Sequence, residues 1–191
     1  MISPSQIPNI ISGLRILAAP ALLVLIWLGQ LNAFAWLLAA ALISDVLDGA
    51  IARHFGYVSD IGSLLDSTAD LLIFIVAAIG IWRFHPELVT DHPLSFLLVV
   101  TLWVCGSLIG VMRYGRMASF HTFLSRLTAY CVGAFVAVLF LWGLQPWLLW
   151  AAVSLCVISH LEEFILMALL PTWTPNVRGL YWVLRKRIPS A

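Results

Sequence analysis

The chain has 191 residues, of which 62% are hydrophobic and 10% charged, and its mean hydropathy is +1.03. This composition excludes an ordinary soluble domain and indicates an integral membrane protein. The formal net charge of +1 gives no indication of nucleic-acid binding. We therefore expect a single all-helical membrane domain over residues 1–191, with membrane lipids around it and no nucleic-acid partner.

The apolar segments, taken in chain order, predict six membrane-spanning helices, because a bilayer core of about 30 Å needs about 20 helical residues. The polar start, Ile2 to Arg15, predicts a short interfacial segment before the first span, and residues 83–93 predict a polar loop. The tail, 171–191, mixes basic and aromatic residues and predicts a basic interfacial segment. The predicted spans are 14–28, 33–53, 59–82, 94–111, 122–142 and 147–170.

The basic residues predict the orientation of these spans. Nearly all Arg and Lys side chains flank the spans on one side, and on this layout only Arg83 lies on the other. The positive-inside rule then places both termini in the cytoplasm. We expect a multi-pass protein of the cell inner (cytoplasmic) membrane, with its functional site toward the cytoplasm.

Four aspartates lie in or beside these apolar segments: Asp45, Asp48, Asp66 and Asp70. A carboxylate at bilayer depth is costly and rare, so it predicts a functional site. On helices, the first two are spaced i,i+3 and the last two i,i+4, so each pair shares a face. Two helices that meet along these faces would gather four anionic groups into one cluster.

Such a cluster requires cations to stay ionised. Ligands that are all oxygen favour a hard ion such as Mg²⁺ or Mn²⁺, and two divalent ions would balance four carboxylates. The alternative is that the aspartates form salt bridges or face a water-filled cavity. We disfavour it because only Arg53 lies nearby in the sequence to neutralise four charges.

The aspartates belong to a longer pattern, which reads Asp45-x-x-Asp48-Gly49-x-x-Ala52-Arg53-x8-Gly62-x-x-x-Asp66-x-x-x-Asp70. This pattern resembles the complete signature of the CDP-alcohol phosphatidyltransferases. Members of that family are membrane enzymes that transfer a phosphatidyl-type group from a CDP-linked lipid to an alcohol and release CMP. The general layout is similar to that of small bacterial phosphatidylglycerophosphate synthase-like members.

The resemblance implies roles for individual residues. All four aspartates would bind metal, and Asp70 would also act as general base toward the acceptor hydroxyl. The remaining implied contacts are with the CDP-lipid donor, CDP-diacylglycerol, and involve Gly49, Ala52, Arg53, Ser59 and Gly62. The resemblance also implies a homodimer.

A second pattern, Asn9-x-x-Ser12-x-x-Arg15, resembles a stretch that lies beside the nucleotide in relatives. It adds Asn9 to the implied donor contacts. The alternatives are that Asn9 and Ser12 cap a helix and that Arg15 extends to the membrane interface.

The acceptor is less well specified by the sequence. Arg113, Arg116 and Arg126 are predicted to cluster around the cytoplasmic turn between the fourth and fifth spans. A cationic patch would suit a phosphorylated acceptor such as glycerol 3-phosphate or inositol phosphate, and ordinary positive-inside bias is the alternative. A further group of polar residues in the sixth span could contact an acceptor or pair with an arginine: His160, Glu162 and Glu163.

The chain departs from the best-known phosphatidylglycerophosphate synthases, which usually carry Pro where Ser67 stands. It also lacks their Ala-Arg-Glu and Gly-Lys-x-Lys-Thr patterns. The resemblance therefore specifies the reaction better than the acceptor. The Leu65-Asp66-Ser67 segment is similar to phosphatidylserine synthases, but their later arginine-rich motif is not evident, and a phosphorylated polyol is favoured over serine.

Two readings outside this enzyme activity are open. A cation or proton transporter that binds its ion at the Asp cluster would explain the acids but not the spacing of the glycines and of Arg53. An inactive structural relative is disfavoured because all four aspartates are present.

Overall fold

The computed structural model describes residues 7–55, 60–115, 120, 122–172, 174 and 177–187. Within these ranges, the side chains of residues 7–9, 48–55, 60–61, 63 and 186–187 are outside the description. The described residues contain helices and no strand. The helices are α1 (Ile7–Trp27), α2 (Leu31–Phe55), α3 (Asp60–Phe84), α4 (Pro86–Asp91), α5 (Pro93–Tyr114), α6 (Phe123–Trp142), α7 (Pro146–Leu169) and α8 (Leu180–Arg187).

Five helices in the described part of the chain are long and apolar enough to cross a membrane. Their apolar segments are Ile10–Trp27, Leu64–Phe84, Pro93–Tyr114, Phe123–Trp142 and Pro146–Leu169. In α2 the apolar part, Leu31–Leu47, is shorter, because charged residues follow it toward the end of the helix. The length and composition of these helices confirm the prediction of an all-helical, multi-pass membrane protein.

Two local interpretations are corrected. Helix α1 is continuous from Ile7 and already contains Asn9 and Ser12, while an interfacial segment before the first span stays a prediction. Neither residue can be an N-cap, since an N-cap lies outside the helical turns. Residues 83–93 are not simply a loop, because Pro86 begins the short helix α4, and the fixed φ of Pro suits the first helical position.

The helices divide into two compact units. The first unit contains α1 to α3 and all but the last residue of α4, within residues 1–90, together with residues 136–144, and in it α1 packs against both α2 and α3. The second contains residues 91–135 and 145–191, and in it α7 packs against α5 and α8. The expectation of one domain over the whole chain stays a prediction.

The first unit is tightly packed where α3 passes the aromatic ring of Phe34. Phe34 is fully buried, and its ring lies 4.9 Å from that of Phe140, centroid to centroid. A Cβ atom added at Gly80 would lie 2.5 Å from Cζ of Phe34 and 3.2 Å from Cζ of Phe140. Glycine at this position therefore permits a close approach of helix and ring that no other residue allows without displacement.

We expect Gly80→Ala to lower the thermal unfolding temperature of the detergent-solubilised protein by about 2–12 °C, since overpacking typically costs about 1–3 kcal/mol. The matched control is Gly133→Ala in α6, where the new Cβ would meet nothing within 4 Å. This control should be neutral or stabilising, because alanine is favoured over glycine in helices by about 1 kcal/mol. Equal unfolding temperatures for the two variants would contradict the packing argument.

Candidate functional site

Three of the four predicted metal ligands come together in the first unit. Asp45 extends from α2, and Asp66 and Asp70 extend from neighbouring turns of α3. One carboxylate oxygen of each lies within 4.8 Å of the others. Asp66 and Asp70 share a face as their i,i+4 spacing predicts. The two helices therefore bring the aspartates together along the faces that the sequence indicates.

Arg15 of α1 extends its guanidinium into this carboxylate cluster. Nη1 donates to Oδ1 of Asp45 at 2.5 Å and to Oδ1 of Asp70 at 2.8 Å, while Nη2 donates to Oδ1 of Asp66 at 2.6 Å. The Arg15 side chain is only 3% exposed, whereas the side chains of Asp45, Asp66 and Asp70 are 42%, 43% and 54% exposed. The guanidinium thus approaches the cluster from its buried side, and the carboxylates keep exposed surface for another ligand.

The position of Arg15 corrects two interpretations of the sequence. Arg15 does not extend to the membrane interface, because it is buried and bound to carboxylates. The aspartates also form salt bridges, which the sequence disfavours when Arg53 alone is considered, because Arg15 is a second cation available to them. The signal for Arg15 was present, since an arginine within an apolar segment requires a partner, but its partners lie far away in sequence.

The cluster suits a divalent cation. Its ligands are carboxylates, which select hard ions such as Mg²⁺ and Mn²⁺. Among the side chains that the structure describes here, one guanidinium faces three carboxylates, so this part of the cluster carries more negative than positive formal charge. The donor set and this charge excess both fit the type of ion that the sequence predicts.

Other predicted site residues of this unit are described only in part. Helix α2 carries Asp48, Gly49, Ala52 and Arg53 in its last turns, but their side chains are outside the described atoms, as is that of Asn9 in α1. Ser59 lies outside the described residues, as does Arg116 of the second unit. Gly62 is half-buried in the first turn of α3. The roles of these residues remain predictions.

The second unit contains the predicted acceptor residues that are described. Arg113, in the last turn of α5, is exposed, and its Nη2 lies 3.4 Å from the carbonyl oxygen of Leu170. Arg126, in the first turn of α6, is partly buried, and its backbone N–H donates to the carbonyl of Thr122 at 3.2 Å. Acceptor binding by these arginines also remains a prediction.

Glu162 has a structural role that the sequence did not indicate. One carboxylate oxygen accepts from Oγ1 of Thr122 at 2.8 Å, and the other accepts from the backbone N–H of Leu180 at 2.9 Å. Thr122 also accepts from the backbone N–H of Ser125 at 3.0 Å, so it caps the start of α6. Glu162 therefore joins the N-terminal ends of α6 and α8, where the helix dipole favours negative charge.

His160 likewise has a local partner, because its Nδ1 lies 2.8 Å from the carbonyl oxygen of Cys156 one turn earlier in α7. A carbonyl oxygen can only accept, so Nδ1 is the donor in this contact. The sequence did not indicate this bond either.

These features define a helical, multi-pass membrane protein with a carboxylate cluster in its first unit. A family model described as CDP-alcohol phosphatidyltransferase matches residues 5–158. The chain belongs to this family, which confirms the family that the sequence pattern indicates.

Curated relatives show similarity over different parts of the chain. The cardiolipin synthase (CMP-forming) of Streptomyces coelicolor is 38% identical over 84 residues, which cover 40% of this chain and 39% of the relative. The CDP-diacylglycerol–inositol 3-phosphatidyltransferase of Saccharomyces cerevisiae is 35% identical over 82 residues, which cover 40% and 37%. The match therefore spans well under half of the length of these two relatives.

A longer match is found with the CDP-diacylglycerol–glycerol-3-phosphate 3-phosphatidyltransferase of Rickettsia typhi. It is 27% identical over 173 residues, which cover 83% of this chain and 95% of the relative. No solved structure matches the chain. The names of the second and third relatives specify different acceptors, inositol and glycerol 3-phosphate.

Proposed function

We propose that the protein transfers a phosphatidyl-type group from CDP-diacylglycerol to an alcohol and releases CMP, as a step in phospholipid synthesis. The observation that carries this proposal is the cluster of Asp45, Asp66 and Asp70 around Arg15, in a chain of this family. We favour glycerol 3-phosphate as the acceptor, because the relative matched over most of its length is named for that acceptor. Inositol phosphate, serine and other alcohols are the alternatives within the same chemistry.

In the proposed site, Asp45, Asp48, Asp66 and Asp70 hold two Mg²⁺ or Mn²⁺ ions. When bound, such ions neutralise charge that develops on a pyrophosphate during displacement. Asp70 accepts the proton of the acceptor hydroxyl, whose oxygen forms a bond to the phosphorus that carries the lipid. The bond from that phosphorus to the CMP oxygen breaks, and CMP leaves with the electron pair. A carboxylate within hydrogen-bond reach of the hydroxyl can serve as this base.

The proposed donor contacts lie around the same signature. Gly49, Ala52 and Gly62 permit close approach of the CDP-lipid because their side chains are small or absent. Arg53 binds phosphate through its permanently charged guanidinium, which can donate two parallel hydrogen bonds. Asn9 and Ser59 complete the proposed set by their resemblance to family positions.

The direct test is CMP release by the purified full chain in detergent or vesicles. We expect release that requires CDP-diacylglycerol, Mg²⁺ or Mn²⁺, and one alcohol from a panel containing glycerol 3-phosphate, inositol phosphate and serine. Absence of CMP release with every alcohol and both ions would overturn the proposal. Ion uptake into vesicles without CMP release would support the transporter alternative instead.

We further propose that Arg126 binds the phosphate of the acceptor, together with Arg113 and Arg116. We expect Arg126→Ala to lower kcat/KM for glycerol 3-phosphate about tenfold to hundredfold, because loss of a charged hydrogen bond costs about 1.5–3 kcal/mol. The affinity for CDP-diacylglycerol should hardly change. Steady-state kinetics with each substrate varied in turn measures both effects.

The control for this variant is Arg83→Ala, which removes the same charge from the opposite side of the proposed topology. It should leave both substrates' kinetics unchanged. Equal losses of donor and acceptor efficiency in Arg126→Ala would assign Arg126 to the donor or to the fold. No change in either would remove the main argument for a phosphorylated acceptor.

The proposed topology has six spans, with both termini in the cytoplasm and the carboxylate cluster in the cytoplasmic half of the inner membrane. Helix α2 supports a count of six spans, in addition to the five long apolar helices. Its 25 residues are about 37 Å long and exceed the thickness of the bilayer core. The basic tail would then lie along the cytoplasmic interface. We also propose a homodimer, which a mass measurement of the solubilised protein would test.

Site-directed labelling tests the orientation. In a variant without the native cysteines, a cysteine replacing Arg178 should react with a membrane-impermeant maleimide only after the cytoplasmic side is opened. A cysteine replacing Glu87 should react from outside in intact cells. The reverse pattern would overturn the proposed orientation, and labelling of both positions from one side would contradict the six-span count.

A further inference from the structure

The guanidinium of Arg15 uses the same groups that would ligate a metal ion. Its two terminal nitrogens contact one oxygen each of Asp45, Asp66 and Asp70, at 2.5 to 2.8 Å. These contacts are hydrogen-bonded ion pairs, and such charge-assisted hydrogen bonds are stronger than those between neutral groups. Arg15 therefore already supplies part of the positive charge that the carboxylate cluster requires.

Burial fixes the guanidinium in this place. The Arg15 side chain is 3% exposed, so water screens its charge poorly. A divalent ion held by the same carboxylates would lie at about 2.0–2.2 Å from their oxygens. It would thus lie within several ångströms of the guanidinium and repel it. Each carboxylate has a second oxygen besides the Oδ1 that Arg15 contacts, so Arg15 and the ion would compete through their charges and not for the same atoms.

We propose that Arg15 is an internal cation that neutralises the carboxylate cluster in the ion-free protein and competes with divalent ions for it. This inference rests on the proposed metal site. The proposed role of Arg15 affects stability and ion binding in opposite ways. Arg15 stabilises the protein when no ion is present, and it weakens ion binding.

The test measures Mn²⁺ binding and stability in one set of variants. Arg15→Gln keeps a hydrogen-bonding side chain but removes the charge. We expect it to bind Mn²⁺ at least about tenfold more tightly than the wild-type chain, since a repelling charge is gone. Binding is followed through the electron paramagnetic resonance signal of free Mn²⁺, with the full chain in detergent. In EDTA, the same variant should unfold at a lower temperature than wild type.

Two controls make the result specific. Arg83→Gln makes the same charge change in the same unit, but Arg83 lies near the end of α3, about 20 Å along the helix from Asp70. It should leave Mn²⁺ affinity unchanged. Asp66→Asn should remove the tight Mn²⁺ binding, which assigns the signal to the carboxylate cluster.

Two other results for Mn²⁺ binding would overturn the inference. Equal or weaker Mn²⁺ binding by Arg15→Gln would mean that Arg15 organises the carboxylates for the ion instead of competing with it, and the proposed metal site would stand. No saturable Mn²⁺ binding by either wild type or variant would overturn both this inference and the proposed site.

A second variant covers the case in which Arg15→Gln cannot be purified. Arg15→Lys keeps a positive charge but lacks the fork of donors that contacts three carboxylates. We expect its Mn²⁺ affinity to exceed that of wild type by about threefold, with part of the competition retained. Affinity equal to or below that of wild type would contradict the inference.

Discussion

Replacing Asp66 with asparagine is expected to lower the rate of CMP release about a thousandfold or more. Asparagine preserves the shape of the side chain but removes the charge that binds a cation. A catalytic metal ion contributes several kcal/mol to the stabilisation of a transition state, and each 1.4 kcal/mol corresponds to a factor of ten in rate. Measurement of kcat/KM for CMP release at high Mn²⁺ concentration tests this expectation.

The control for Asp66→Asn is Glu87→Gln in α4. Glu87 is an exposed acid that pairs with Nδ1 of His85 at 2.8 Å, outside the carboxylate cluster. This variant should retain wild-type activity, whereas EDTA added to the wild-type protein should reproduce the loss seen in Asp66→Asn. A full rate of CMP release in EDTA would contradict the proposal that the reaction depends on two bound metal ions.

Asp70→Asn is expected to reduce transfer by about a hundredfold to ten-thousandfold, the range of a general base. Binding of CDP-diacylglycerol should survive better than in Asp45→Asn, because Asp45 is proposed only to hold metal, whereas part of the proposed role of Asp70 concerns the proton of the acceptor. The comparison requires two measurements on each variant. These are the rate of CMP release and the rise in unfolding temperature that CDP-diacylglycerol produces.

Asp70 and Asp45 are well matched for this comparison, since both accept from Nη1 of Arg15 and both are about half exposed. A difference between their variants therefore reflects what they do with substrate and not how they contact Arg15. Equal loss of donor binding in the two variants would make Asp70 a metal ligand without a role as base.

Local sequence features predicted the helices well. The predicted spans 122–142 and 147–170 correspond to Phe123–Trp142 and Pro146–Leu169. Hydrophobicity and helix length are properties of a short window, so they can be read without knowing which helices pack together. Helix α4 was missed because six residues are too few to show a helical period.

The candidate site was predictable where its residues lie close in sequence. The spacing of Asp66 and Asp70 places both on one face, and the signature pattern adds Asp45. The contacts of Arg15 and Glu162 were not predictable, because Arg15 is separated from its partners by 30 to 55 residues and Glu162 from its partners by 18 and 40. Such pairs depend on which helices pack together, which the sequence pattern does not specify.

The ion pairs of Arg15 also bear on how the chain enters the membrane during synthesis. Helix α1 emerges from the ribosome before α2 and α3, so Arg15 is made before any of its three carboxylate partners. An arginine at the centre of an inserting helix costs about 2.5–3.5 kcal/mol on insertion scales, and Arg15 lies nearer the start of the apolar segment Ile10–Trp27, where the cost is smaller. Asp45 offers the first compensation, and Asp66 and Asp70 add to it one helix later. We therefore expect α1 to be held more stably in the membrane once α2 and α3 have been made.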